Sequence, residues 1–189
     1  MRYVLMAAAG LMLAGCGIAT QDNTARMPNA STGGPVLNEN QAIALSGWAL
    51  KDPATTHGDP SRAASAVAAE DWLAGQTILY GNYGDYQPGG SYYWQQFRDQ
   101  VRSALGITPN VPSQVVVDHM LAASKALQGG DTSAAEAQFQ APEFSLGGQG
   151  TVTALANLPR FPAYGAAYAE LRRNNEREFG GHCGSFGGC

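Results

Sequence analysis

Charge is scarce in this chain: Asp, Glu, Lys and Arg make up 14% of the residues, and the basic ones are scattered rather than clustered. Without a basic stripe there is no electrostatic footprint for nucleic acid. Abundant Gly, Ala, Ser, Gln and Asn instead suit an exported protein with a mostly neutral surface. Histidine is rarer still, with three residues. His57, His119 and His182 include no pair at His-x3-His spacing, and no Glu is placed for a zinc hydrolase, so metal catalysis lacks its ligand set. The serines Ser46, Ser61, Ser65, Ser103, Ser113 and Ser124 fall on or near predicted helices, and Gly-x-Ser-x-Gly does not occur. Gly147-Gly148-Gln149-Gly150 has no following Lys and reads as a turn rather than a phosphate loop. No catalytic residue, metal site or cofactor is therefore expected.

What is present is concentrated at the start. Arg2 precedes an apolar run from Tyr3 to Leu13, then small residues and a cysteine, the layout of a secretory signal too short to span a bilayer as a permanent helix. Leu13-Ala14-Gly15-Cys16 resembles the lipobox of bacterial lipoproteins. That resemblance implies cleavage after residue 15, lipidation of Cys16 with acyl chains such as palmitate, and a lipid bilayer as first partner. Gly17 stands where an aspartate favours inner-membrane retention in enterobacterial lipoproteins. The implied address is the cell envelope, on the outer membrane facing the periplasm.

Residues 16–36 carry the lipidated Cys16 and then a polar, aperiodic stretch that reads as a flexible tether. About twenty such residues span roughly 25 Å as a coil. A mainly α, single-domain helical bundle of about five or six helices is expected over 37–179, long enough for one real core. The first helix runs from about Asn38 to Lys51 and stops at Pro53. Asp59-Pro60 is a strong start signal for an alanine-rich helix to about Tyr80, with Ala66, Ala69, Leu73 and Tyr80 on one face. Glu70 and Asp71 mark its wetter side, and as sequence neighbours they point in different directions and do not form an acid/base pair. Further helices are expected over 91–105, 112–128 and 131–139, and a last one over 163–178. The stretch 142–162 fits either a hairpin across Gly147-Gly148 or a short helix from Thr151 to Leu158.

Gly130, Asp131, Ala135 and Phe139 fall at the spacing of the turn and second helix of a tetratricopeptide repeat, so the fourth and fifth helices partly resemble one. The large residue early in the first helix and the closing Ala and Pro are missing, and no second copy occurs. An ordinary helical hairpin is expected. In the Gly-rich tail 180–189, Cys183 and Cys189 can pair as a disulfide in an oxidising compartment. With His182 they also offer three metal-capable ligands, a weak site, and no Cys-x-x-Cys is present for thioredoxin-like redox chemistry.

The densest functional suggestion is the aromatic stretch from Tyr80 to Phe97. Tyr83, Tyr86, Tyr92, Tyr93 and Trp94, with Asp85 among them, offer flat rings for sugar faces and a carboxylate for hydroxyls. The competing reading makes these rings the plug of a helical bundle, with hydroxyls toward water. The first reading gives a non-enzymatic binding or scaffolding module whose partner is peptidoglycan or another envelope protein. A cell-wall glycan or peptide enzyme using the aromatic loop as its groove is the alternative, and it would need Asp85, Asp99 or His119 at that groove. A metal or redox role of the Cys tail is the third.

Overall fold

The computed structural model of the protein describes residues 24–27, 39–80 and 90–169. The signal segment, Cys16, Tyr83, Asp85, Tyr86, Cys183 and Cys189 lie outside these residues. The described part is a bundle of helices: α1 (Glu39–Ala49), a short 3-10 turn (Pro53–Thr56), α2 (Pro60–Tyr80), α3 (Gly90–Ala104), α4 (Ser113–Gln128), α5 (Thr132–Gln138) and α6 (Gly147–Ala156). Residues 164–169 are helical as well. Among the described residues no helix is long and apolar enough to cross a membrane.

The capping signals do what their chemistry suggests. The Asp59 carboxylate accepts from the amides of Ser61 and Arg62 at 2.9 and 3.2 Å, and Pro60 takes the first helical position of α2, where its missing N–H costs nothing. Asp131 likewise opens α5 by accepting from the Ala134 amide at 2.9 Å.

α2 is the hub, packing against α1, α3, α4 and α6. Its alanines 63, 64, 66, 68, 69 and 74 are all fully buried, so the helix has no single apolar face but is enclosed nearly all round. Small side chains let neighbouring helices approach from several directions at once. This corrects the sequence expectation for Glu70 and Asp71: there is no wetter side at this level, and both are fully buried.

α2 and α4 run antiparallel along a seam of small residues and hydroxyls. Ser61 and Ser124 exchange side-chain and main-chain bonds of 2.9 to 3.1 Å, and the Ser65 hydroxyl meets that of Ser124 at 2.6 Å. Near the other end of the seam sits an element the sequence reading missed. Residues 24–27, expected to belong to a free tether, lie on the domain with Ala25 buried. The Arg26 amide donates to Gln114 Oε1 at 2.7 Å, Gln114 Nε2 donates back to the Arg26 carbonyl at 3.2 Å, and Gln76 reaches the Ala25 carbonyl at 3.4 Å. The pairing through a glutamine amide needs no periodicity in the strap, which is why pattern reading leaves it as coil.

Of the two alternatives for 142–162, the helix is found, beginning at Gly147 rather than Thr151. Gly148 explains the early start: a side chain there would drive into the Glu136 carbonyl of α5, so glycine permits the two helices to touch backbone to backbone. α4 and α5 form the expected plain hairpin, with Ala135 and Phe139 buried. Helical residues 164–169 close over α1, where Tyr164 donates to the Gly47 carbonyl at 2.7 Å and the hydroxyls of Tyr168 and Ser46 meet at 2.6 Å.

Candidate functional site

Two faces of α3 carry most of the polar chemistry. Its inward face presents Trp94, Phe97, Arg98, Val101 and Arg102, with Leu105 just past its end, all buried, at the three- and four-residue spacing of one helical stripe. Two arginines thus sit in an otherwise apolar row, within the electrostatic reach of the two carboxylates of α2. Asp71 receives a two-pronged bond from Arg102, Nε to Oδ2 at 2.6 Å and Nη2 to Oδ1 at 2.8 Å. The same guanidinium donates to the Val111 carbonyl at 2.7 Å and to Ser113 at 3.3 Å, tying the start of α4 to the pair. Planar, doubly bonded geometry of this kind is what makes a buried ion pair tolerable.

Glu70 is different. Both of its carboxyl oxygens are buried without a hydrogen-bond partner among the described residues. Burial, reinforced by the Asp71 charge, pushes its carboxyl well above the usual 4.5, and the attraction of Arg98 and Arg102 only partly offsets this. Arg98 is pushed down from its ordinary value, chiefly by burial as well. Glu70 therefore holds its proton where an exposed glutamate would not. Beside it the aromatic side of the core closes: the Trp94 ring lies tilted 5.1 Å from that of Tyr168, Phe97 meets Phe161, Tyr164 and Tyr168 edge-on, and Tyr164 stacks on Tyr168 at 4.5 Å. Burial also raises the Tyr168 hydroxyl well above 10.0, opposed by its bond to Ser46.

The outward face of α3 runs Tyr92, Gln95 and Gln96, Asp99 and Ser103, all exposed. Tyr92 is 55% exposed and stands edge-on to Tyr93 at 5.7 Å, while Gln96 donates to the Tyr92 hydroxyl at 2.6 Å and steadies it. Tyr92 to Ser103 spans about 16 Å along the axis. Asp99 and Ser103 form a ridge between two clefts. One, about 440 Å³, is bounded by Ala104, Pro159, Phe161 and Pro162 with Arg160. The other, about 510 Å³, is more polar, with Gln95, Thr108, Asn110 and Ser145 along its walls.

The aromatic residues expected to act together are thus divided. Trp94 is 1% exposed and belongs to the core plug, whereas Tyr92 and Tyr93 reach solvent. Asp99 stands on the outer face of α3, while His119 lies on α4 with its ring edge-on to Phe144 at 5.4 Å. The sequence reading missed the ionic cluster. Its signal was Arg98 and Arg102 recurring four apart inside the Trp94, Phe97, Val101, Leu105 stripe, opposite acidic neighbours in a long alanine run. Among the described residues no three His, Cys, Asp or Glu side chains are grouped to hold a metal ion. The chain matches no family model, and no curated protein or solved structure shows significant similarity to it.

Proposed function

We propose that this protein is a lipid-anchored envelope lipoprotein whose helical domain is a non-enzymatic binding module for peptidoglycan, held at the outer membrane and facing the periplasm. The observation that carries the binding role is the exposed row on α3, in which Tyr92 and Tyr93 lead into amide, carboxylate and hydroxyl groups flanked by two clefts. A flat ring offers an apolar face to a sugar, and the groups that follow pair with its hydroxyls. A non-enzymatic role fits the burial of Glu70, whose raised pKa would suit proton transfer but whose carboxyl is sealed in the core. The anchor rests on Leu13-Ala14-Gly15-Cys16. Multiple acyl chains make attachment nearly permanent, since each buried methylene contributes about 0.8 kcal/mol.

Two experiments test the parts separately. Mass spectrometry should find a mature N-terminus that begins at an acylated Cys16, and globomycin treatment of the host, which blocks the cleavage, should leave the signal segment attached; an unmodified Cys16 in untreated cells refutes the anchor. Wild-type protein should be retained on purified sacculi, and Tyr92→Ala with Tyr93→Ala should lose that retention at unchanged melting temperature. Equal retention of the variant would remove α3 from the interface.

A further inference from the structure

Resting on the binding reading above, we infer that the polar cleft beside the C-terminal half of α3 is a subsite for a neutral sugar unit, with Asp99 and Ser103 taking its hydroxyls and Gln95 and Asn110 its acetamido group. The cleft, about 510 Å³, is large enough for a sugar residue or two, and its lining excludes the other ligand classes in turn. Among the described residues an anion finds no free cation there: no lysine lines the cleft, and the arginine in its wall, Arg102, is committed to Asp71, the Val111 carbonyl and Ser113. A bound metal ion would want several carboxylates, and among the described residues Asp99 is the single one in the lining. An apolar ligand would strip water from two amides, three hydroxyls and a carboxylate without replacing any hydrogen bond.

What remains is a neutral ligand rich in groups that both donate and accept. Gln95 and Asn110 supply amides of both polarities, and Ser103 and Thr108 supply hydroxyls. Ser145 already donates to the Gly106 carbonyl at 2.8 Å, so its oxygen is turned to accept. Asp99 can accept from two neighbouring hydroxyls at once, the strongest kind of contact available in such a site. Tyr92 stands two turns up the same face of α3, so a chain with one unit in the cleft can lay a further unit on that ring.

The test uses the full chain in detergent micelles and a tetramer of β-1,4-linked N-acetylglucosamine, titrated calorimetrically. Wild type should bind the tetramer, and Asp99→Asn should weaken it at least about tenfold, the loss expected when a charged acceptor becomes a neutral amide. Ser103→Ala should weaken it by a smaller factor. Asp99 is exposed, so the melting temperature should not change. Absence of tetramer binding, or equal affinity in Asp99→Asn, overturns the sugar subsite. If the tetramer fails while wild type is still retained on sacculi, the cleft is wrong and the binding module stands; failure of both overturns both.

Discussion

The two long sides of α2 solve the same packing problem in opposite ways. Toward α4 the helix uses small side chains and a chain of hydroxyls, Ser61, Ser124 and Ser65, each short enough to bond across the gap. Toward α3 it uses carboxylates and guanidinium groups, with Asp71 and Arg102 locked together and Glu70 left beside them without a hydrogen bond among the described residues. The hydroxyl seam is tolerant because each bond there is neutral and modest, about 1 kcal/mol net. The ionic seam is intolerant, because removing one partner strands the other in the core. The difference also separates roles: the α4 side only holds the bundle together, whereas the α3 side fixes the helix whose outer face carries the candidate binding row.

Breaking the ionic side should have the largest effect. Asp71→Ala leaves the Arg102 guanidinium buried and unpaired, and should destabilise the protein by about 3–5 kcal/mol in urea denaturation. Changing both partners to well-packed apolar residues, Asp71→Leu with Arg102→Met, should recover most of that loss; no recovery would mean that the pair has a role beyond charge balance.

Glu70 sharpens the same side in the other direction. Below the ordinary carboxylate range, folded and unfolded chains both hold this proton. As pH rises past 4.5 the unfolded chain releases it first, because burial has raised the folded-state value, so stability falls with rising pH until that value is reached. Glu70→Gln removes the proton from the balance. Its melting temperature should therefore exceed that of wild type at neutral pH, and the gap should close toward pH 4. A gap independent of pH would show that Glu70 is ionised in the fold.

On the hydroxyl side the expected effects are smaller. Ala68 lies on the same helical face as Ser61 and Ser65, and Ala68→Leu should cost about 1–3 kcal/mol by forcing α2 and α4 apart. Ser124→Ala removes the centre of the hydroxyl chain, yet Ser61 keeps the Ser124 carbonyl and half-buried Ser65 can turn to water. About 1 kcal/mol should be lost in the same denaturation assay. If Ser124→Ala cost as much as Asp71→Ala, the contrast between the two sides would fail.

The helices were legible because their signals are local: Asp59-Pro60 and Asp131 cap their own amides, and glycines mark the ends. What escaped was set at a distance. The alanine run of α2 reads as one apolar face, and only the four neighbours around it make Glu70 and Asp71 interior. Gly147 to Gly150 has poor helix propensity, and the touch of Gly148 on α5 overrides it. At the candidate site, the aromatic density of 92–94 was visible but its partition was not. Consecutive residues on a helix turn by about 100°, so three adjacent rings cannot share one face, and the core claimed Trp94 alone.

The four residues 24–27 on the domain change the meaning of the spacer before them. Under the proposed acylation of Cys16, only eight peptide steps separate the lipid from Thr24, a maximal reach of about 26–29 Å even when pulled straight. The domain would then be moored by a short leash fixed between the second half of α2 and the start of α4, not left to wander on a long one. A leash attached off-centre gives a body a preferred underside, so the lipid would decide which way the bundle faces as well as where it stays.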